Sequence, residues 1–260
     1  MTIETEMTKP PVVANADVAV VETARRRRRM DHDHPFYKWV VLSNTTLGTL
    51  LATINASIVL ISLPAIFRGI GLNPLAPGNV SYLLWMLMGY LVVTAVLVVP
   101  FGRLGDMFGR VRIYNLGFVV FTLAAVALSF DPFHLGSGAL WLIAWRVVQG
   151  VGGAMLMASS SAILTDAFPS NQRGMALGVN MVAAVAGSFL GLLIGGFLSE
   201  WHWKAIFWVG VPIGILGTIW SVRSLRELGV RTPGRLDWAG IWVEVEVRSG
   251  QLGGVSRAAR

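Results

Sequence analysis

Arg146-Val147-Val148-Gln149-Gly150-Val151-Gly152-Gly153-Ala154 places a guanidinium and a carboxamide three residues apart inside a long apolar run. A guanidinium offers several donors and a fixed positive charge, so it can hold an anion, a carbonyl or a polar partner side chain. Within a bilayer such a group is costly and faces a wet cavity or a partner rather than lipid. The alternative is a side chain that snorkels to a headgroup. Asn55, in Asn55-Ala56-Ser57-Ile58-Val59-Leu60-Ile61-Ser62-Leu63-Pro64, is a second polar group in an apolar run. It suits a substrate ligand or a packing contact, and it cannot carry a proton. A third set, Gly102-Arg103-Leu104-Gly105-Asp106-Met107-Phe108-Gly109-Arg110-Val111-Arg112, is charged and rich in glycine. It reads as a tight turn between two apolar runs, with Asp106 placed to cap the second. Arg110 and Arg112 can pair with Asp106 or with lipid phosphates.

These groups do not make an enzyme. The apolar runs hold no paired carboxylates, and no Ser-His-Asp or metal-binding set stands out. Asp31-His32-Asp33-His34 has ligand types, but in a polar stretch it reads as solvated rather than as a metal site. No cofactor is expected.

The elements that must position these residues follow from composition. Only 13% of residues are charged and 54% are hydrophobic, against about 25% charged in soluble domains. This is the balance of a polytopic membrane protein. The net charge of +7 would suit nucleic acid, yet the basic residues sit in short segments between apolar runs, as topology determinants do. Arg25 to Arg29 form a basic block before the first run; it reads as a cytoplasmic anchor rather than a nucleic-acid arm. The chain has no cysteine, so it can form no disulfide.

Residues 1–35 lack sustained periodicity and are expected to be a disordered cytoplasmic tail. Six apolar runs follow, at 40–64, 82–99, 113–130, 139–163, 174–198 and 203–222. Each is long enough to cross a bilayer as a helix. Residues 36–224 are therefore expected to form a six-helix transmembrane bundle. Basic residues cluster on alternate loops, at Arg103, Arg110, Arg112, Arg173, Arg223 and Arg226. Both termini are thus expected in the cytoplasm. Asn73-Pro74 and Pro77-Gly78 break the first outer loop.

The fifth run carries Gly178, Gly187, Gly191, Gly195 and Gly196, which are expected to form one glycine face of that helix. Ala183, Gly187, Gly191 and Gly195 recur every four residues and form a stripe without bulk. Such a stripe serves packing within the bundle, or docking of another protein's helices.

Several of these segments, in this order, resemble the major facilitator superfamily. The Gly102, Gly105, Asp106, Gly109, Arg110, Arg112 spacing is similar to its loop between the second and third helices. Arg146, Gln149 and Gly150 resemble its fourth-helix signature, whose arginine is implicated in proton coupling. The fifth-run glycines resemble its antiporter signature, although Leu192 stands where a proline is expected. The Asn55 segment resembles the first helix of the fourteen-span drug:proton antiporter branch, with Asn55 in place of aspartate and Leu60 in place of asparagine. Thr165-Asp166-Ala167-Phe168-Pro169 and Trp201-His202-Trp203 resemble further motifs of that branch, with His202 and Gly210 departing from it.

The resemblance implies an all-α membrane protein: a six-transmembrane-helix bundle that is one half of a major facilitator fold. Residues 225–260 are then a cytoplasmic linker and a polar tail. Arg235-Leu236-Asp237-Trp238-Ala239-Gly240 resembles the approach to a seventh span, but Glu244, Glu246 and Arg248 interrupt it. A truncated or frameshifted product of a longer gene is therefore expected. The implied function is multidrug efflux across a plasma membrane by alternating access, with a hydrophobic small-molecule substrate. Proton coupling stays open, because no Asp or Glu lies in the six runs. Two copies could supply both cavity walls as a homodimer. The rival reading is a non-transporting fragment or membrane assembly module.

Overall fold

The computed structural model describes residues 36–73 and 76–227. The tail, the block Arg25 to Arg29, the Asp31-to-His34 stretch, Pro74 and the segment from Arg231 onward lie outside the described residues. The chain divides into two units after Trp39. Of the first, residues 36–39 are described. They open a helix, where the Trp39 N–H donates to the Phe36 carbonyl at 3.1 Å.

Six helices among the described residues are long and apolar enough to cross a membrane. They are α1 Tyr37–Gly69, α2 Val80–Phe108, α3 Arg110–Ser129, α4 Leu135–Ala167, α5 Arg173–Trp201 and α6 Ala205–Ser224. Helical hydrogen bonding is interrupted at Val209 in α6, yet its φ of −58° and ψ of −39° keep the helical path. Each helix matches one apolar run, and each extends past that run at one or both ends. Helices α3 and α6, at 20 residues, span about 30 Å at the usual rise. Helices α1 and α4, at 33 residues, run to roughly 50 Å and project beyond a hydrocarbon core.

The apolar run ending at Pro64 does not end α1, which continues to Gly69. A proline removes one helical hydrogen bond, a loss that membrane helices absorb by local adjustment. Pro100 lies inside α2 in the same way.

Burial is uneven. In their most apolar stretches, 61% of α1 is buried but only 22% of α2 and 17% of α5. Helices α1, α3 and α4 therefore form the interior. Helices α2 and α5 keep Trp85, Leu91, Val96, Val185, Phe189 and Phe197 exposed, a pattern that lipid tolerates and water does not. One apolar cluster joins Ile58, Phe67, Met86, Leu128, Leu142 and Phe207 from α1, α2, α3, α4 and α6.

Missing side chains set the tightest crossings. At Gly152 of α4 a Cβ would stand 2.7 Å from the Phe121 nitrogen of α3, and at Gly150 it would stand 2.9 Å from the Tyr90 carbonyl of α2. Helix α4 can thus touch both neighbours along their backbones. The α5 stripe behaves similarly toward α1. A Cβ at Gly187 would overlap Thr53, one at Gly191 would lie 2.5 Å from the Ile54 carbonyl oxygen, and one at Gly195 would lie 2.9 Å from Ile58 Cγ1.

This corrects the docking alternative: the stripe is filled by α1 of the same chain and is not open to another protein's helices. Gly178 and Gly196 do not belong to it, and a Cβ at either meets nothing within 4 Å. Nine residues separate Gly178 from Gly187, which is half a turn out of phase at 100° per residue.

Gly191→Ala is expected to lower the stability of the detergent-solubilised chain by about 1–3 kcal/mol, because a methyl group must push α5 off α1. Gly196→Ala should leave the thermal unfolding midpoint unchanged or raise it slightly, since alanine favours helix.

Candidate functional site

Two polar clusters stand out, one at an end of the bundle and one inside it. The end cluster gathers at the α2–α3 junction. The connection is shorter than the charged segment suggested. Helix α2 runs on through Asp106 to Phe108, and Gly109 alone separates it from α3. Gly109 has φ 115°, a backbone region that L side chains rarely enter.

Asp106 consequently does not cap α3. Its Oδ1 accepts from Arg110 Nε at 2.9 Å and from Arg110 Nη2 at 2.7 Å. Arg110 Nη1 also donates to Asp166 Oδ1, in the last turn of α4, at 2.6 Å. The cap comes from Glu227, beyond α6. Its Oε1 accepts from the Arg110 backbone N–H at 2.7 Å, and its Oε2 from the Val111 N–H at 3.2 Å. A carboxylate there satisfies orphan donors and meets the positive end of the α3 dipole.

The cluster therefore ties α2, α3, α4 and the segment after α6 together. Its ion pairs are partly solvated, with side-chain exposures of 27% for Arg110 and 41% for Asp106. Each is worth on the order of 1 kcal/mol or less. Gly105 is buried, and a Cβ on it would lie 3.6 Å from Arg110 Cγ. Gly102 and Arg112 stay outside: Gly102 faces open space and Arg112 is exposed.

The inner cluster centres on Arg146, which is 1% exposed. The side chain does not snorkel. Its Nη1 donates to Asn55 Oδ1 of α1 at 2.6 Å and to Gln149 Oε1 at 2.7 Å. Residues 146 and 149 share a helix face, so α4 supplies both groups to one point. The guanidinium carbon lies 4.6 Å from the centre of the Tyr90 ring of α2, within cation–π range. Arg146 Nε and Gln149 Nε2 are buried without a partner. Gly150 sits beside them; its carbonyl accepts from Thr94 Oγ1 at 3.1 Å.

The sequence reading thus located Asn55, Arg146, Gln149 and Gly150, and the structure brings all four together. It missed Tyr90, Asp166 and Glu227. Tyr90 offered a signal, as a phenol near the middle of an apolar run. Glu227 offered none, because 117 residues separate it from Arg110.

At the end of the bundle opposite Arg110, between α3 and α4, lies Asp131, which is 5% exposed. Its Oδ1 accepts from the Phe133 N–H at 2.9 Å, Oδ2 is buried without a partner, and Lys204 Nζ donates to its main-chain carbonyl at 2.9 Å. Burial raises its pKa above the ordinary carboxyl value, against the Phe133 N–H and the charges of Lys204 and His134. Among the described residues no group of three or more His, Cys, Asp or Glu could hold a metal ion.

Six apolar helices around a buried, multiply hydrogen-bonded guanidinium define a multi-pass membrane protein. Its sequence matches the Major Facilitator Superfamily over residues 45–248. The chain belongs to that superfamily. The riboflavin transporter RibZ of Clostridioides difficile is 32% identical over 191 residues, covering 73% of this chain and 40% of that protein. The methyl viologen resistance protein SmvA of Salmonella typhimurium is 36% identical over 199 residues, covering 75% of this chain and 38% of that protein. The tetracenomycin C resistance and export protein of Streptomyces glaucescens is 28% identical, covering 78% of this chain and 36% of that protein. The chain thus spans 36–40% of the length of these relatives. A crystal structure of a D-xylose-proton symporter superposes with a TM-score of 0.59 at 16% identity, over 84% of this chain and 53% of that one. That likeness establishes the fold: a bundle of the kind that makes up half of a facilitator.

Asp131 yields a pH prediction. A carboxyl whose folded pKa is raised contributes stability that is complete below its unfolded pKa, about pH 4, and is lost as pH rises through the folded value. Asp131→Asn should therefore unfold at a higher temperature than the parent at pH 7, and the gain should vanish toward pH 4 in thermal melts.

Proposed function

We propose that this chain acts as one six-helix half of a plasma-membrane exporter that moves hydrophobic small molecules by alternating access. Both termini face the cytoplasm on this reading, because the basic residues Arg103, Arg110, Arg112, Arg173 and Arg223 fall at ends that alternate. The observation that carries the proposal is the burial of Arg146 with Asn55 and Gln149. A guanidinium placed inside a bilayer is a large cost unless the site binds or couples something. The names of RibZ, SmvA and the tetracenomycin C protein, a transporter, a resistance protein and an exporter, agree with that reading.

The Asp106–Arg110–Asp166 cluster, with Glu227, would serve as the cytoplasmic gate. Its partly solvated ion pairs are weak enough to open and numerous enough to hold a closed state. The second wall of the cavity would come from another six-helix half or from a second copy of the chain. Proton coupling would need a titratable group other than Asn55. The rival reading is a membrane module without transport activity.

Drug accumulation in cells separates the two readings. The exporter reading predicts that the chain lowers intracellular accumulation of a fluorescent dye, and that Arg146→Ala and Asp106→Ala both return accumulation to the level of cells without it. Accumulation that is unchanged by deleting the intact chain favours the non-transporting module.

A further inference from the structure

The inner cluster holds a positive charge that nothing in it balances. Asn55 Oδ1 and Gln149 Oε1 are both already occupied by Arg146 Nη1. The Tyr90 hydroxyl is turned to the Ala52 carbonyl of α1, at 3.4 Å. What remains idle are donors, Arg146 Nε and Gln149 Nε2, both buried. The five described carboxylates, Asp106, Asp131, Asp166, Glu200 and Glu227, all lie in terminal turns or in connections. None enters the middle of the bundle.

A charge in such a medium acts far more strongly than in water. Neutral acceptors solvate the guanidinium without neutralising it. A ligand that brings an anionic oxygen would offer the idle donors an acceptor and cancel the charge, whereas a cation would meet repulsion. Asn55 also lines a narrow apolar crevice between α1 and α6, beside Leu51, Ile58, Ile206 and Gly210, which is closed to water in this conformation and would have to widen to take a ligand. An apolar body with one acidic group matches both halves of this environment.

We infer that the Asn55–Arg146–Gln149 cluster selects substrates that are apolar and bear an anionic, hydrogen-bond-accepting group, and that it disfavours cations. The inference rests on the exporter reading for its biological meaning, but binding alone tests it. Fluorescein and rhodamine 123 share a xanthene core and carry opposite charge at neutral pH. Their affinities for the full chain in lipid nanodiscs can be read by fluorescence polarisation.

Fluorescein should bind at least about tenfold more tightly, the factor carried by one charge-assisted hydrogen bond. Arg146→Gln should remove that preference. Asn55→Asp, which places a carboxylate against the guanidinium, should shift it toward rhodamine 123. Monodisperse elution of each variant confirms that it folds, and the Asn55→Asp arm decides the matter if Arg146→Gln does not. Equal affinity, tighter rhodamine 123 binding, fluorescein binding indifferent to both substitutions, or no binding of either dye overturns the inference. Rhodamine 123 exported in an Arg146-dependent manner leaves the exporter standing and removes the charge selectivity. Fluorescein bound in an Arg146-dependent manner without export from cells does the reverse.

Discussion

Arg146 cannot reach water, and the arrangement around it follows from that constraint. A buried guanidinium must find acceptors within the bundle or cost several kcal/mol. Two acceptors are available, on α1 and one turn further along α4, and an aromatic ring on α2 covers the face. Those contacts require three helices to meet closely. The glycines of α4 supply the closeness: Gly150 faces the backbone of α2, and Gly152 and Gly117 face each other across the α3–α4 crossing. Removing side chains where helices cross and adding a charge where they converge are two parts of one solution.

The same economy operates at the other cluster, with a different balance of forces. Arg110 is partly solvated, so its pairs with Asp106 and Asp166 contribute little each. Their effect is connectivity. Asp106 comes from α2, Asp166 from α4, and Glu227 from beyond α6, all at the start of α3. The interior charge thus has buried, fixed partners, while the end cluster holds its helices through pairs that water can reach.

The six spans were legible because lipid demands about twenty apolar residues in a row and leaves few alternatives. Arg146, Gln149 and Asn55 were legible for the same reason: polar groups inside such runs are rare and expensive. The α2–α3 turn was not. Its glycines and charges read as a loop, but at the end of a membrane helix charged residues face water without breaking the helix. Only Gly109, held at positive φ, breaks it. Glu227 escaped notice because nothing local marks a carboxylate that caps a helix more than a hundred residues away. Gly178 was grouped with the α5 stripe by residue type, although the helical repeat turns it to the opposite side.

The central claim is that Arg146 is a buried charge held by Asn55. A double-mutant cycle on the purified chain tests this most directly, with thermal unfolding as the readout. Asn55→Leu alone should destabilise strongly, by about 3 kcal/mol, because it strands a charge that Arg146 cannot take to water. Adding Arg146→Met should recover much of that loss, since it removes the stranded charge and leaves only the neutral Gln149 carboxamide without its partner. If the two substitutions simply add, with no recovery in the double variant, the guanidinium and the carboxamide are not partners and the account is wrong.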